Sequence, residues 1–93
     1  MFNVNEYFEG KVKSLAFENE EGRVTCGVMA PGEYEFETST VEQMTVISGK
    51  LTVRLPGENE WKEYKPFEMF VVSKDSKFRV KAEEQISYKC VYK

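Results

Sequence analysis

The chain contains no histidine. No imidazole is present to act as general base near neutral pH, to activate a serine or cysteine, or to complete a histidine-rich metal cluster. Cysteine is scarce: Cys26 and Cys90 stand far apart, and their spacing gives neither a zinc nor a redox motif. Spacing alone leaves a disulfide open. With no secretory leader visible, the expectation is two reduced thiols, each buried as a small hydrophobe. The opening residues, with Asn3, Asn5 and Glu6, lack a basic stretch followed by an apolar one, so no signal peptide is expected and the chain is assigned to the cytoplasm. Long apolar runs are missing. The longest, Met69 to Val72, is four residues, where a membrane-spanning helix needs about 20. A basic excess is missing too: 13 basic and 16 acidic residues are interleaved and sum to −3. No cationic stripe exists to track a phosphate backbone, so neither nucleic acid nor membrane is an expected partner.

What is present fits a soluble globular chain. Hydrophobic residues make up 41% and charged residues 31% of 93 residues, enough for one domain spanning 1–93. A chain this short buries only about 60% of its unfolded surface, so its core is thin and pairing with a second copy would add buried apolar area. Aromatics reach 14%, with seven Phe and five Tyr, which favours a pleated, β-rich core.

Apolar residues recur with period two almost everywhere, and no segment sustains a 3.6-residue period. Strands are expected over Lys11–Phe17, Arg23–Met29, Glu33–Thr38, Glu42–Ser48, Leu51–Leu55, Trp61–Tyr64, Met69–Val72, Phe78–Ala82 and Ile86–Tyr92. Turn signals at Glu21–Gly22, Pro31–Gly32, Pro56–Gly57 and Asp75–Ser76 separate them. Gly49–Lys50 reads as the tight turn of a hairpin, and the last two strands read as a closing pair. One short helical turn is possible near Val4 to Phe8. In Glu33–Thr38 three glutamates alternate with Tyr34, Phe36 and Thr38, so the aromatic face points inward. Many short strands at roughly ten-residue spacing indicate an all-β sandwich or barrel.

Double-sheet jelly rolls include the cupins. Glu42, six residues and Gly49 resemble the second half of the first cupin motif. The positions of its two histidines fall near Phe36 and Thr38, and the histidine of the second motif is matched by Phe78 in VVSKDSKF. More broadly, NEYFEGKVKSLAF, GRVTCGVMAPGEYEFET, EQMTVISGKLTVRLPG, Trp61 and a closing SYKCVY resemble the small pyrimidine/purine nucleoside phosphorylase family across nearly the whole chain. The resemblance implies a metal-free, single-domain cupin-type jelly-roll barrel (double-stranded β-helix) and a homodimer. It also implies phosphorolysis of purine and pyrimidine nucleosides to a free base and ribose 1-phosphate, with inorganic phosphate as co-substrate and no cofactor. One departure stands out: where the family has a glycine and a proline flanking Met69–Val72, this chain has Phe67 and Ser73.

Phosphorolysis sends a phosphate oxygen to the anomeric carbon through an oxocarbenium-like transition state. Phosphate needs cations or N–H donors. Of three arginines, Arg54 and Arg79 alternate with inward apolar residues and should face solvent. Arg23 remains as the phosphate candidate, although a strand-end surface arginine would look the same. Glu42, in the position of a cupin metal ligand, can accept ribose hydroxyls and stabilise positive charge at the anomeric carbon; a solvated loop glutamate is the plain alternative. Tyr34, Phe36, Phe70, Phe78, Tyr88 and Tyr92 should line one interior, either as core or as a stacking pocket for bases. Hydroxyls of Tyr34 or Tyr88 are candidates to hydrogen-bond base or sugar. Thr38 and Thr45 are lesser candidates, Tyr7 either folds over the barrel mouth or belongs to a plain packing strand, and Lys11 and Lys13 are read as solvated. No nucleophile–base pair can be assembled, but phosphate is itself the nucleophile. A ligand-binding cupin without chemistry remains the competing reading, and a metal-dependent oxygenase is disfavoured by the missing imidazoles.

Overall fold

The computed structural model describes residues 2–93, and they form ten strands with no helix among them. In chain order these are β1 (Asn3–Tyr7), β2 (Val12–Asn19), β3 (Gly22–Met29), β4 (Gly32–Glu37), β5 (Glu42–Ser48), β6 (Leu51–Arg54), β7 (Lys62–Tyr64), β8 (Met69–Val72), β9 (Lys77–Ala82) and β10 (Ile86–Tyr92). A six-stranded sheet has the order β1-β2-β3-β10-β5-β8 and a four-stranded sheet the order β4-β9-β6-β7. Every pairing is antiparallel. Among the described residues no helix is long and apolar enough to cross a membrane.

The period-two alternation explains why two sheets form and face each other. Val12, Met29, Met44 and Val46 of the larger sheet and Leu51, Val53, Phe78 and Val80 of the smaller are buried in one cluster. A Val or Leu side chain taken fully out of water contributes about 1.5–3 kcal/mol, and a one-residue slip would turn the whole set to solvent. Arg79 faces outward as expected, held by Glu33 at 3.0 Å and Glu35 at 3.2 Å on the neighbouring β4. Arg54 lies over the Trp61 ring.

Several local expectations are corrected. The segment Val4 to Phe8 makes no helical turn, because residues 3–7 pair with β2 as an edge strand. The last two strands do not pair with each other: β9 lies between β4 and β6, whereas β10 lies between β3 and β5. Gly49–Lys50 is not a hairpin turn either, since β5 and β6 belong to opposite sheets. The turn carries the chain between layers at a point where a Cβ on Gly49 (φ 81°) would stand 2.7 Å from Ile86 Cγ2. Cys90 is buried, but Cys26 is exposed; both thiols are free. Cys26 pairs with Leu15 on the outer face of the larger sheet, where neither side chain meets the opposing layer.

The departure at position 67 has a structural counterpart. Phe67 adopts φ 71° and is 78% exposed. Its N–H donates to the Val46 carbonyl at 2.6 Å, so the left-handed turn is fixed by β5. A non-glycine residue there is strained, and the exposed ring gains little packing to offset it. Phe67→Gly is therefore expected to raise stability by about 0.5–1 kcal/mol, seen as a thermal midpoint roughly 2–8 °C higher; a lower midpoint would show that the ring packs in the working protein.

Candidate active site

Between the sheets lies a cavity of about 470 Å³, partly open to solvent. The register of three adjacent strands of the larger sheet builds its polar wall. Tyr92 of β10 pairs with Arg23 of β3 on one side and with Glu42 of β5 on the other. All three side chains point to the inner face, so they stand in a row across the sheet, with neighbours about 4.8 Å apart along it. Behind them is a second row of Thr25, Cys90 and Met44, and behind that a third of Gly27, Tyr88 and Val46. Phe36 and Phe78 enter from the smaller sheet, and Tyr7 and Phe8 from the end of β1.

Arg23 occupies a strand start, so its guanidinium lies at the rim. Its Cζ sits 5.4 Å from the centroid of the Tyr92 ring, a cation–π arrangement that fixes the fork without neutralising it. Tyr92 is itself braced by a 3.1 Å hydrogen bond between its hydroxyl and Thr25 Oγ1. Among the described residues Arg23 makes no ion pair, in contrast to Arg79. It also borders a second cavity of about 310 Å³ on the other side of Tyr92, lined by Phe17, Glu18 and Val24 among others.

Glu42 is half-buried. The Cys90 thiol donates to its Oε1 at 3.5 Å. Loss of water around the carboxylate raises its pKa above the ordinary 4.5, and the thiol's hydrogen bond only partly opposes this. Burial, and then the neighbouring Glu42 charge, pushes the Cys90 thiol far up, so it remains a protonated donor and no nucleophile. Burial likewise raises Tyr92, against the lowering effect of its bond to Thr25. Tyr88 is pushed up to about 12, chiefly by burial, while its hydrogen bond with Ser14 acts in the opposite sense. Its ring lies across Gly27, where an added Cβ would come within 2.6 Å of Tyr88 Cζ and of its hydroxyl. Glycine in mid-strand is what lets the ring cross β3 to reach Ser14 on β2.

Six of the nine site residues expected from the sequence line this cavity: Arg23, Glu42, Phe36, Phe78, Tyr88 and Tyr7. Tyr34, Thr38 and Phe70 do not. Tyr34 donates its hydroxyl to the Ala30 carbonyl at 2.7 Å and closes the turn before β4. Thr38 Oγ1 donates to the Ser73 carbonyl at 2.6 Å and accepts from the Ser76 N–H at 3.0 Å, tying down that loop. Phe70 is buried against Tyr64 and Phe78 as core. Thr45 alternates with Met44 and Val46 and so faces outward. Of the two tyrosine hydroxyls proposed for base or sugar, Tyr34 is taken up by the Ala30 carbonyl, whereas Tyr88 lines the cavity with Ser14 beside it. Lys13 is solvated and pairs with Glu6.

Sequence reasoning did not single out Phe8, Ser14 or Thr25. The last two follow from inward parity on β2 and β3, but Phe8 sits in a turn and has no parity to read. No group of three or more His, Cys, Asp or Glu among the described residues is placed to hold a metal.

The profile of the pyrimidine/purine nucleoside phosphorylase family matches residues 2–92. A pyrimidine/purine nucleoside phosphorylase of Pseudomonas entomophila (strain L48) is 54% identical over 93 residues, covering 100% of this chain and 99% of that one. Among solved structures, a protein of unknown function from Vibrio parahaemolyticus superposes with a TM-score of 0.94 at 42% identity, covering 100% of this chain and 99% of that one. A cupin-2 domain protein from Rhodospirillum rubrum superposes at 0.75 with 13% identity, covering 96% and 67%, which establishes the cupin fold and nothing more.

Burial has a measurable consequence at Glu42. Because its pKa is raised on folding, the folded state holds this proton more tightly than the unfolded chain, and stability falls as pH rises through the window above 4.5. Glu42→Gln removes the charge. The variant is expected to melt on the order of a few degrees higher than the parent near pH 8. The difference should vanish below about pH 4, where the carboxyl is protonated in both states; an equal or lower midpoint near pH 8 would contradict the buried carboxylate.

Proposed function

The chain belongs to the pyrimidine/purine nucleoside phosphorylase family, and on that premise we propose that it cleaves purine and pyrimidine nucleosides with inorganic phosphate in the cavity bordered by Arg23, Tyr92 and Glu42. The observation that carries this reading is the single row they form, a cation and a carboxylate held two strands apart on one wall of an aromatic cavity. A nucleoside and a phosphate present the same order of chemistry: an anion, a ribose that becomes cationic, and a flat base.

In the proposed reaction Arg23 binds phosphate at the rim through its planar fork of N–H donors. A phosphate oxygen forms the new C–O bond at the anomeric carbon. The C–N bond breaks, and the base leaves with its electron pair and takes a proton from solvent. Glu42 accepts hydrogen bonds from ribose hydroxyls and opposes the positive charge developing on the sugar. It does so from a site already partly stripped of water, where a carboxylate acts more strongly. Phe36 and Phe78, 5.7 Å apart and stacked, with Tyr88 beside them, supply aromatic wall for the base. No cofactor is needed, because phosphate supplies the nucleophile. Two free thiols fit a reducing cytoplasm, where the proposal sets the reaction.

Purified protein incubated with adenosine or uridine is expected to release adenine or uracil only when phosphate is present. Arg23→Ala should raise the KM for phosphate about tenfold or more and leave the KM for nucleoside within about twofold, and Glu42→Gln should lower kcat about 100-fold. No base release across a nucleoside panel would leave a binding protein without chemistry. Full turnover by both variants would remove these residues from the mechanism.

The homodimer is proposed on the outer face of the larger sheet. There Val4, Leu15, Val28 and Ile47 are exposed around one almost wholly apolar groove. A thin core gains most from covering such a surface. Sedimentation at micromolar concentration is expected to give twice the chain mass, and Val28→Glu to give the single chain. A monomeric parent would overturn this part of the proposal.

A further inference from the structure

The turn joining β1 to β2 is built against its own residue preferences. Gly10 N–H donates to the Tyr7 carbonyl at 3.2 Å, so Phe8 and Glu9 are the central pair of a four-residue turn. Both have left-handed backbones, φ 54° and 59°, and Gly10 follows at 87°. Such turns favour Asn-Gly, because two positive φ values are costly for residues carrying a Cβ. Phenylalanine at the first position is strained, and strain of this kind persists where something else fixes it.

What the strain achieves is visible in the ring's position. The Phe8 centroid lies 4.9 Å from Tyr34 and 5.5 Å from Phe36, the latter edge to face. Tyr34 and Phe36 belong to β4 of the smaller sheet, whereas β1 is the edge of the larger one. Phe8 therefore bridges the two sheets over the aromatic part of the cavity, and it remains 42% exposed. Its neighbour Tyr7 pairs with Val12, and Val12 pairs with Met29. Met29 and Arg23 are six residues apart on β3, roughly 20 Å of strand. The cationic rim and the Phe8 turn thus lie toward opposite ends of the same wall.

We propose that Phe8 is the stacking surface for the nucleobase, its ring meeting Phe36 at right angles so that the two bound a corner slot at the end of the cavity away from Arg23. The inference rests on the phosphorolysis reading for the identity of the ligand. With phosphate on Arg23 attacking the anomeric carbon of a ribose at Glu42 from one side, the base departs on the other, toward this slot. Stacking is the recognition such a slot provides, since a phenylalanine ring offers no hydrogen bond with which to choose among bases.

Phe8→Gly separates this role from a merely structural one, because glycine relieves the left-handed strain while removing the ring. The variant is expected to melt no lower than the parent. Its KM for adenosine should rise roughly five- to hundredfold, and its KM for uridine by a smaller factor, since a pyrimidine presents less area to stack. The KM for phosphate should stay within about twofold. Phe8→Trp should restore the nucleoside KM. An unchanged adenosine KM in Phe8→Gly, or an equal rise in the phosphate KM, overturns the assignment. Should the parent protein release no base at all, the phosphorolysis reading fails by itself, and equilibrium dialysis of free adenine then decides about Phe8. Weaker adenine binding by Phe8→Gly than by the parent supports the slot; equal binding, or none to either protein, overturns it.

Discussion

The candidate site depends on the register in which β10 lies between β3 and β5. With Tyr92 opposite both Arg23 and Glu42, a cation, an aromatic ring and a carboxylate share one line on one face. Side chains alternate faces along a strand, so a slip of one residue would send Tyr88, Cys90 and Tyr92 to the outer surface together. The burial of Tyr88 and Cys90 prevents that slip. The irregularity between Ser87 and Tyr88 in the pairing with β5 takes up the mismatch at the far end of the strand, away from the row. Packing in the middle of β10 thus fixes the chemistry at its end.

In the proposed reaction the same row serves a cupin barrel that has no imidazoles. Where histidines would gather around an ion, this chain has Phe36 and Phe78 on the inner wall. Glu42 remains, with no cluster of ligands around it. Its partner is a thiol that burial keeps protonated. A carboxylate so placed is partly desolvated, accepts one weak hydrogen bond and faces an open cavity. That leaves lone pairs and charge for a ligand that carries hydroxyls and develops positive charge. Arg23 is the complementary case: the ring of Tyr92 orients its guanidinium, and no carboxylate quenches it.

Much of this was legible in the chain because alternation is local. The inward course of Tyr34, Phe36 and Phe78 and the outward course of Arg79 follow from counting by twos, and they hold. Strand partners did not follow, since β9 and β10 read as adjacent runs yet lie in opposite layers. That choice is made by long-range packing, which the runs themselves do not encode. Parity was also silent about depth. Tyr34, Thr38 and Phe70 point inward as counted, but inward positions divide between those that fill the core and those that face the cavity, and only the three-dimensional taper separates them. Cys26 was misjudged because its face, Val24, Cys26 and Val28, is the more apolar of the two, while the inward face carries Thr25 and Gly27. Phe8 had no pattern at all, because a left-handed turn obeys neither period.

In the proposed reaction, breadth of substrate follows from the ring faces that the cavity offers to the base. Tyr92 is bonded to Thr25 and Tyr34 to the Ala30 carbonyl, so both groups are satisfied inside the protein. A site built to donate and accept along the edge of a base rejects the analogue lacking a matching group by several orders of magnitude, because its own buried polar atoms are then left unpaired. Where the base lies against ring faces, no polar atom of the wall is orphaned when the base changes. It discriminates only by the area stacked, which differs modestly between purine and pyrimidine. With the proposed roles, selectivity falls on the parts common to all nucleosides and to phosphate, the ribose at Glu42 and the anion at Arg23. On that reading, tolerance toward the base and dependence on the polar row are two outcomes of one arrangement, a wall of ring faces beside a cation and a carboxylate.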